Sequence, residues 1–237
     1  MWFTRGAESA SRGDKAMINT IGVLGAGRVG SAIARTALAA GYTVNIASSG
    51  PAKDIELLVN VVVPGARPMS AADAVAHADL VIVAVPLHKY QTIQRQLLDG
   101  HLVVDTMNYW RPIDGVLPEF EQSASSSEII SEYFAGARIV KTLNHIGYHD
   151  LEIEARPSGH PDRRALGVAG DDPSDVAAVA EVIERFGFDA VPTSPLRSGA
   201  AFQPGYAIFG GHHNAPQLQN ALEEHSHERS LSTAGHA

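Results

Sequence analysis

The stretch Ile21–Gly30, IGVLGAGRVG, constrains this chain more than any other. Apolar and small residues run into Gly25-Ala26-Gly27-Arg28-Val29-Gly30, and an alanine-rich, helix-compatible run follows. The glycine pattern therefore sits where a strand turns into a helix. There Gly25 permits the tight turn, Gly27 lets the backbone approach a pyrophosphate, and Gly30 lets the helix pack closely on the strand. The helix N-terminus offers unpaired N–H groups and the positive end of its dipole to an anion. A bare G-x-G-x-x-G is often only a glycine-rich loop, but this strand-to-helix context predicts a dinucleotide site.

The other bounds are broad. At 237 residues the chain is long enough for one full core, and its formal charge of −8 argues against nucleic acid or an anionic membrane as partner. An anionic cofactor must then be held by local groups and not by a global field. The absence of cysteine removes disulfides, thiolate metal sites and cysteine nucleophiles. No apolar run approaches the roughly 20 residues that span a bilayer, and no secretory signal is visible, so a cytoplasmic protein is expected.

Taken in order, residues 1–18 read as a flexible N-terminal tail. Residues 19–194 read as the nucleotide-binding unit, 195–211 as a C-terminal segment docking near the substrate side, and 212–237 as a flexible, histidine-rich tail without a physiological metal. The expected strands are Thr20–Leu24, Thr43–Ala47, Asp79–Val85, Leu102–Asp105, Arg138–Leu143, Ala165–Ala169 and Asp189–Pro192. Helices are expected at about Arg28–Ala39, after a Ser70 cap, over Gln91–Leu98, over Glu128–Phe134 and after Asp172. Segment Glu152–Arg164 reads as a polar surface loop. Strands alternating with helices, one of them a continuous apolar run, predict a Rossmann-type, doubly wound and mainly parallel sheet with a small C-terminal extension.

The residues just past the second strand bear on the cofactor. An Asp or Glu there, about 20 residues past the fingerprint, would accept hydrogen bonds from a ribose 2′-hydroxyl. This chain instead has Ser48, Ser49 and Gly50, then Lys53. Two hydroxyls and an ammonium suit a 2′-phosphate, which favours NADP; a solvated serine-glycine turn is the plainer reading. Strand ends in such sheets face the ligand crevice, so Val85, Pro86, Leu87 and His88 are expected on the cofactor side. Trp110 and Tyr109 either stack on a planar substrate or plug a loop. Asn144 is a candidate partner for the nicotinamide carboxamide. His145 is a candidate for substrate positioning, against the alternative of a packed imidazole.

The GAGRVG loop, Ser48-Ser49 with Lys53, the strand Val81–Pro86, Val140-Lys141-Thr142-Leu143-Asn144 and Gly170-Asp171-Asp172 together resemble the NADPH-dependent F420 reductases, also called F420-dependent NADP oxidoreductases. The resemblance covers about Asn19 to Phe209. It implies a homodimer that binds NADP and exchanges hydride with C5 of a deazaflavin, coenzyme F420. By the same resemblance Gly25–Gly30 bind the pyrophosphate, and Ser48, Ser49 and Lys53 the 2′-phosphate. Val85 and Pro86 line the ribose and nicotinamide, with Met107 and Thr142–Asn144 around the ring. The chain departs from the family where many members place an arginine at Ser49 or Gly50, and in the loop Asn108–Pro112. Hydride exchange between two cofactors requires no obligatory protein acid or base. The alternatives are an NADPH-dependent reductase of a flavin, quinone, imine or other small acceptor, and a non-catalytic NADP(H)-binding sensor.

Overall fold

The computed structural model describes residues 17–123 and 125–234. Most of the expected N-terminal tail, residues 1–16, lies outside the described residues. Strands β1 (Thr20–Leu24), β2 (Thr43–Ala47), β3 (Arg67–Pro68), β4 (Leu80–Val83), β5 (Leu102–Asp105), β6 (Arg138–Lys141), β7 (Ala165–Gly170) and β8 (Asp189–Thr193) form one sheet. Its order is β3-β2-β1-β4-β5-β6-β7-β8. Pairing from β3 across to β6 is parallel, with Val23 between Ile46 of β2 and Ile82 of β4. β7 runs antiparallel to β6, with Lys141 opposite Ala169, and β8 is parallel to β7. The fold is the expected Rossmann-type α/β sheet, reversed in direction over its last two strands.

Helices cover both faces. Helix α1 (Arg28–Ala39) begins on the glycine loop, α2 is Glu56–Val62 and α3 is Ala71–Ala76. Two short helices, α4 (Arg111–Asp114) and α5 (Pro118–Gln122), precede α6 (Ser126–Tyr133). Helix α7 (Asp150–Ile153) follows β6, α8 (Pro173–Phe186) joins β7 to β8, and α9 (Ala215–Ala234) ends the described chain. Ile33, Val59, Leu151 and Val179 bury α1, α2, α7 and α8 on one face. Val75, Phe120 and Ile130 bury α3, α5 and α6 on the other. Caps expected from sequence are present: Ser70 Oγ accepts from Asp73 N at 3.1 Å, and Asp172 accepts from the N–H groups of Ser174 and Asp175.

Three expectations are corrected. Gln91–Leu98 is not an α-helix: two 3₁₀ turns, Leu87–Thr92 and Arg95–Leu98, flank an extended Ile93-Gln94. Aromatic contacts hold this path, with Tyr90 edge-on to Tyr133 at 4.8 Å and the Arg95 guanidinium 4.1 Å over the Tyr133 ring. The segment 152–164 is more than a surface loop. It begins in α7 and ends in two buried arginines, Arg163 against Glu184 (2.7 Å) and Arg164 against Glu154 (2.7 Å).

The third correction is the C-terminal tail, which over Ala215–Ala234 is helix and not a flexible tail. Asn214 and Gln217 cap it reciprocally, each backbone N–H donating to the other's side chain at 3.0 Å. Leu218 and Leu222, one turn apart, then dock beside Ala165 and Val191. Segment 195–211 opens with the 3₁₀ stretch Leu196–Phe202, which crosses the β6–β7 face. Leu196 N donates to Asp171 Oδ1 just past β7, and Phe202 arrives beside Asn144 past β6.

Candidate functional site

The sequence-selected residues come together at one edge of the sheet, at the carboxyl ends of β1, β2, β4, β5 and β6. At β1 the chain turns with Gly25 at φ 124°, a conformation that suits glycine, and a Cβ there would overlap Ala84 O at the end of β4. A Cβ on Gly30 would overlap Gly25 O, so the loop folds back onto its own helix only because Gly30 has no side chain. Gly27 differs: a Cβ there would meet nothing within 4 Å. Its smallness is required by nothing inside the protein, and the space in front of it suits an approaching ligand backbone.

Helix α1 starts at this point with Gly27 as its N-cap, without a side-chain cap and without an acidic residue in its first turn. Its N–H groups are thus left to face an anion. An open cleft of about 520 Å³ runs from Gly27 and Arg28 along the outer side of α1. Arg28 reaches toward the Tyr148 hydroxyl at 3.5 Å across it. Farther along, Arg35 clamps Glu152 through two bonds of 2.8 and 2.9 Å and also donates to Val62 O, tying α1 to α7 and α2. The pair holds the Glu152 carboxyl below the usual carboxylate range and raises Arg35, because each is hydrogen-bonded to the other's charge.

At β2, Ser48 is half-buried and Ser49 and Lys53 are exposed on the loop beside the fingerprint. Gly25 N donates to Ala47 O at 2.8 Å, which sets the two loops side by side. Asp54 shares this loop: a Cβ on Gly50 would lie 3.0 Å from its Oδ2. Val85 and Pro86 follow β4 and are half-buried and exposed at this edge, whereas Leu87 is buried.

The far side of the edge is closed. Met107 is 3% exposed; its N–H donates to Asp105 Oδ1 at 2.8 Å, and its carbonyl accepts from Lys141 Nζ. Lys141 also pairs with Asp105 Oδ2 at 3.1 Å, which Ser127 Oγ reaches at 2.8 Å. Burial pushes the Lys141 ammonium below its usual pKa, against the pull of Asp105. Thr142 donates its hydroxyl to Gly167 O at 2.7 Å and is fully buried. Leu143 holds φ 62°, an uncommon conformation for a branched residue, and Asn144 follows.

Two site expectations are therefore corrected. The Asn144 amide nitrogen donates to Asn108 Oδ1 (2.9 Å) and Phe202 O (3.0 Å), so it is spent inside the protein and not aimed at a carboxamide. His145 is 2% exposed, and its Nε2 accepts from Gly167 N at 3.0 Å. Its proton therefore sits on Nδ1, 3.2 Å from Asn144 Oδ1. Burial, with the charges of Arg164 and Lys141, pushes its pKa down to about 3. It is a neutral, packed imidazole against Phe202. Of the two aromatics, Tyr109 is the plug, stacked on Phe120 at 5.8 Å with its hydroxyl bonded to Gly115 O. Trp110 stays 43% exposed and stacks on Phe209 at 6.2 Å.

One grouping escapes a reading of the sequence. Asp114, at the end of α4, accepts at Oδ1 from His88 Nδ1 (2.8 Å) and His88 N (3.1 Å), and at Oδ2 from Trp110 N (2.8 Å). Position after β4 places His88 near the crevice and says no more. Its carboxylate partner comes from beyond the next strand, a separation that no local motif marks.

Residues 20–109 match the model of the family described as NADP oxidoreductase, coenzyme F420-dependent. No curated protein matches the sequence. Among solved structures, a hypothetical protein from Sinorhizobium meliloti is 27% identical with a TM-score of 0.72, over 85% of this chain and 97% of that one. A candidate F420-dependent NADP reductase from Arthrobacter sp. FB24 shares the fold at 24% identity and a TM-score of 0.64, over 78% of this chain and 90% of that one. An imine reductase variant from Myxococcus stipitatus, solved with NAD⁺, shares it at 19% identity and a TM-score of 0.52. That match covers 92% of this chain but 64% of the imine reductase, so the chain is shorter than the enzymes of that group. Over residues 20–109, from β1 to the loop after β5, the chain is similar to the coenzyme F420-dependent NADP oxidoreductases.

Proposed function

We propose that the protein is an NADP-dependent oxidoreductase that passes hydride between NADPH and coenzyme F420. The observation that carries the nucleotide part is the glycine loop. Two of its glycines are demanded by close packing against Ala84 and Gly25, while Gly27 faces open space at an uncapped helix N-terminus. Bound NADPH would supply a hydride from nicotinamide C4.

The chain's own residues supply placement. The α1 N–H groups and Arg28 hold the pyrophosphate, Ser48, Ser49 and Lys53 hold the 2′-phosphate, and Val85 and Pro86 flank the ribose and nicotinamide. Asp54, beside Ser48–Gly50, opposes the 2′-phosphate and moderates the preference for NADP over NAD. Trp110, exposed beside Phe209, offers an aromatic face to a planar acceptor. Positioning and exclusion of water account for most of the rate. The reading includes a homodimer in the cytoplasm, and light scattering of the purified protein tests the dimer.

Support for F420 comes from the family match. A second reading, reduction of an imine or another small acceptor, is supported by the shared fold of the imine reductases and of a reductive aminase from Aspergillus terreus solved with NADPH. Incubation with NADPH and oxidised F420, following the loss of deazaflavin absorbance, tests the first. Turnover is expected, and none at any pH would overturn it. A cyclic imine, a flavin and a quinone tested in parallel decide the second. Tight NADPH binding without turnover of any acceptor would leave a sensor.

A further inference from the structure

Hydride exchange obliges no protein acid, since solvent can supply the proton, but the reduction still takes up a proton and a residue placed to deliver it speeds the step. When carbon in a C=N, C=O or conjugated ring accepts hydride, the π pair collapses onto a heteroatom that must then take a proton. His145, the sequence candidate nearest such a role, is closed off: both ring nitrogens are used and the ring is buried. His88 is not. It lies just beyond β4, the strand between the glycine-loop strand β1 and β5, whose following loop carries Trp110.

The ring of His88 is 33% exposed, whereas the Asp114 side chain that holds it is 3% exposed. A carboxylate only accepts hydrogen bonds, so the 2.8 Å contact places a proton on Nδ1 and leaves Nε2 as the atom that exchanges protons with what lies outside. The same carboxylate fixes the backbone of His88 and of Trp110. The imidazole, the carboxylate and the backbone of Trp110 are thus tied together at the edge where β4 and β5 end. A capping contact would need only one of these three bonds.

We infer that His88 is the proton donor of the reduction and that Asp114 is its positioning residue. The inference rests on the NADPH reading above. When the acceptor carbon takes hydride from NADPH, the π bond to that carbon breaks and an electron pair ends, directly in a C=N or C=O group or through the conjugated ring in a deazaflavin, on a heteroatom. That atom takes the proton from Nε2 of the His88 imidazolium, which returns to neutral imidazole and is reprotonated from solvent. In the reverse direction Nε2 accepts the proton.

Two measurements test this. In ¹⁵N spectra of the histidine side chains, the His88 signal is identified by its loss in His88→Asn. It is expected to show an Nδ1–H tautomer, and to move on addition of NADP⁺ but not of 2′,5′-ADP, which lacks the nicotinamide. NADP⁺ that binds without moving it would overturn the inference and leave the nucleotide reading standing; NADP⁺ that does not bind would overturn both. Asp114→Ala removes the acceptor, so the preference for the Nδ1–H tautomer is expected to be lost; an unchanged tautomer would overturn Asp114 as the positioning residue.

With oxidised F420 and a cyclic imine as acceptors, His88→Asn is expected to lower kcat by about 100-fold while the Kd for NADPH stays within about twofold. A kcat within about threefold of the unaltered protein would overturn the assignment, because general acid catalysis contributes at least about 100-fold. If neither acceptor is turned over, the acceptor reading falls and the spectra decide the inference alone.

Discussion

The two ends of the functional edge follow opposite rules. At β1 and β4 the carboxyl ends of parallel strands open outward: Gly27 faces space, and Pro86 and His88 reach solvent. At β6 the same position is sealed, with Thr142, Asn144 and His145 all 5% exposed or less. The difference lies in the next strand. β7 runs antiparallel to β6, so the chain leaving β8 returns across the β6–β7 face and delivers Phe202 to Asn144. The crevice rule for open α/β sheets applies where neighbouring strands run the same way and fails where a returning segment covers the strand end.

The largest expected effect breaks the open end. Gly30→Ala places a Cβ into Gly25 O and should cost about 3 kcal/mol or more in denaturant unfolding, since backbone cannot step aside as a side chain can. Loss near zero would mean the loop is not seated on α1. Next, Asn144→Ala removes the partner of Asn108 and Phe202 O. It should cost roughly 2 to 3 kcal/mol of stability and leave the Kd for NADPH within about twofold. The reverse pattern, intact stability with lost NADPH affinity, would open the end described here as sealed.

His145 sharpens the contrast through pH. Its pKa falls from 6.5 to about 3 on folding, so below 6.5 the unfolded chain binds a proton that the native chain refuses. Its contribution is present above pH 6.5 and is lost as pH falls toward 3, at about 1.4 kcal/mol per pH unit. Gln in its place can still accept from Gly167 N. Between pH 7 and 5 the unaltered protein should therefore lose stability more steeply than His145→Gln; equal slopes would mean the imidazole is not sealed. The smallest effect is at the exposed Lys53. Lys53→Ala should weaken NADPH by about 1 kcal/mol, roughly fivefold, and NADH hardly at all. Equal losses for both would remove Lys53 from the 2′-phosphate.

Local patterns carry much of the fold. The spans of β1, α1, β2 and β5 are readable because alternating or continuous apolar runs are bounded by glycine or small polar residues, and the caps at Ser70 and Asp172 announce their helices. Helix α9 is also legible in Asn214-x-x-Gln217 followed by Leu218 and Leu222, a signal masked by the polar, histidine-rich composition around it. The direction of β7 is not legible, because nothing within the strand records which way its neighbour runs. The same is true of His88 and Asp114, paired only through a loop that closes after β5. Nor can sequence separate Gly27, whose Cβ would be free, from Gly25 and Gly30, whose Cβ atoms would clash.

That last distinction gives the most direct measurement. Gly27→Val should leave the midpoint of thermal unfolding within about 2 °C, because nothing in the protein occupies the space it enters. NADPH affinity measured by calorimetry should fall at least about 30-fold, or about 2 kcal/mol, because the new side chain stands where the pyrophosphate is bound. A well-folded Gly27→Val protein that binds NADPH as tightly as the unaltered one would contradict the account.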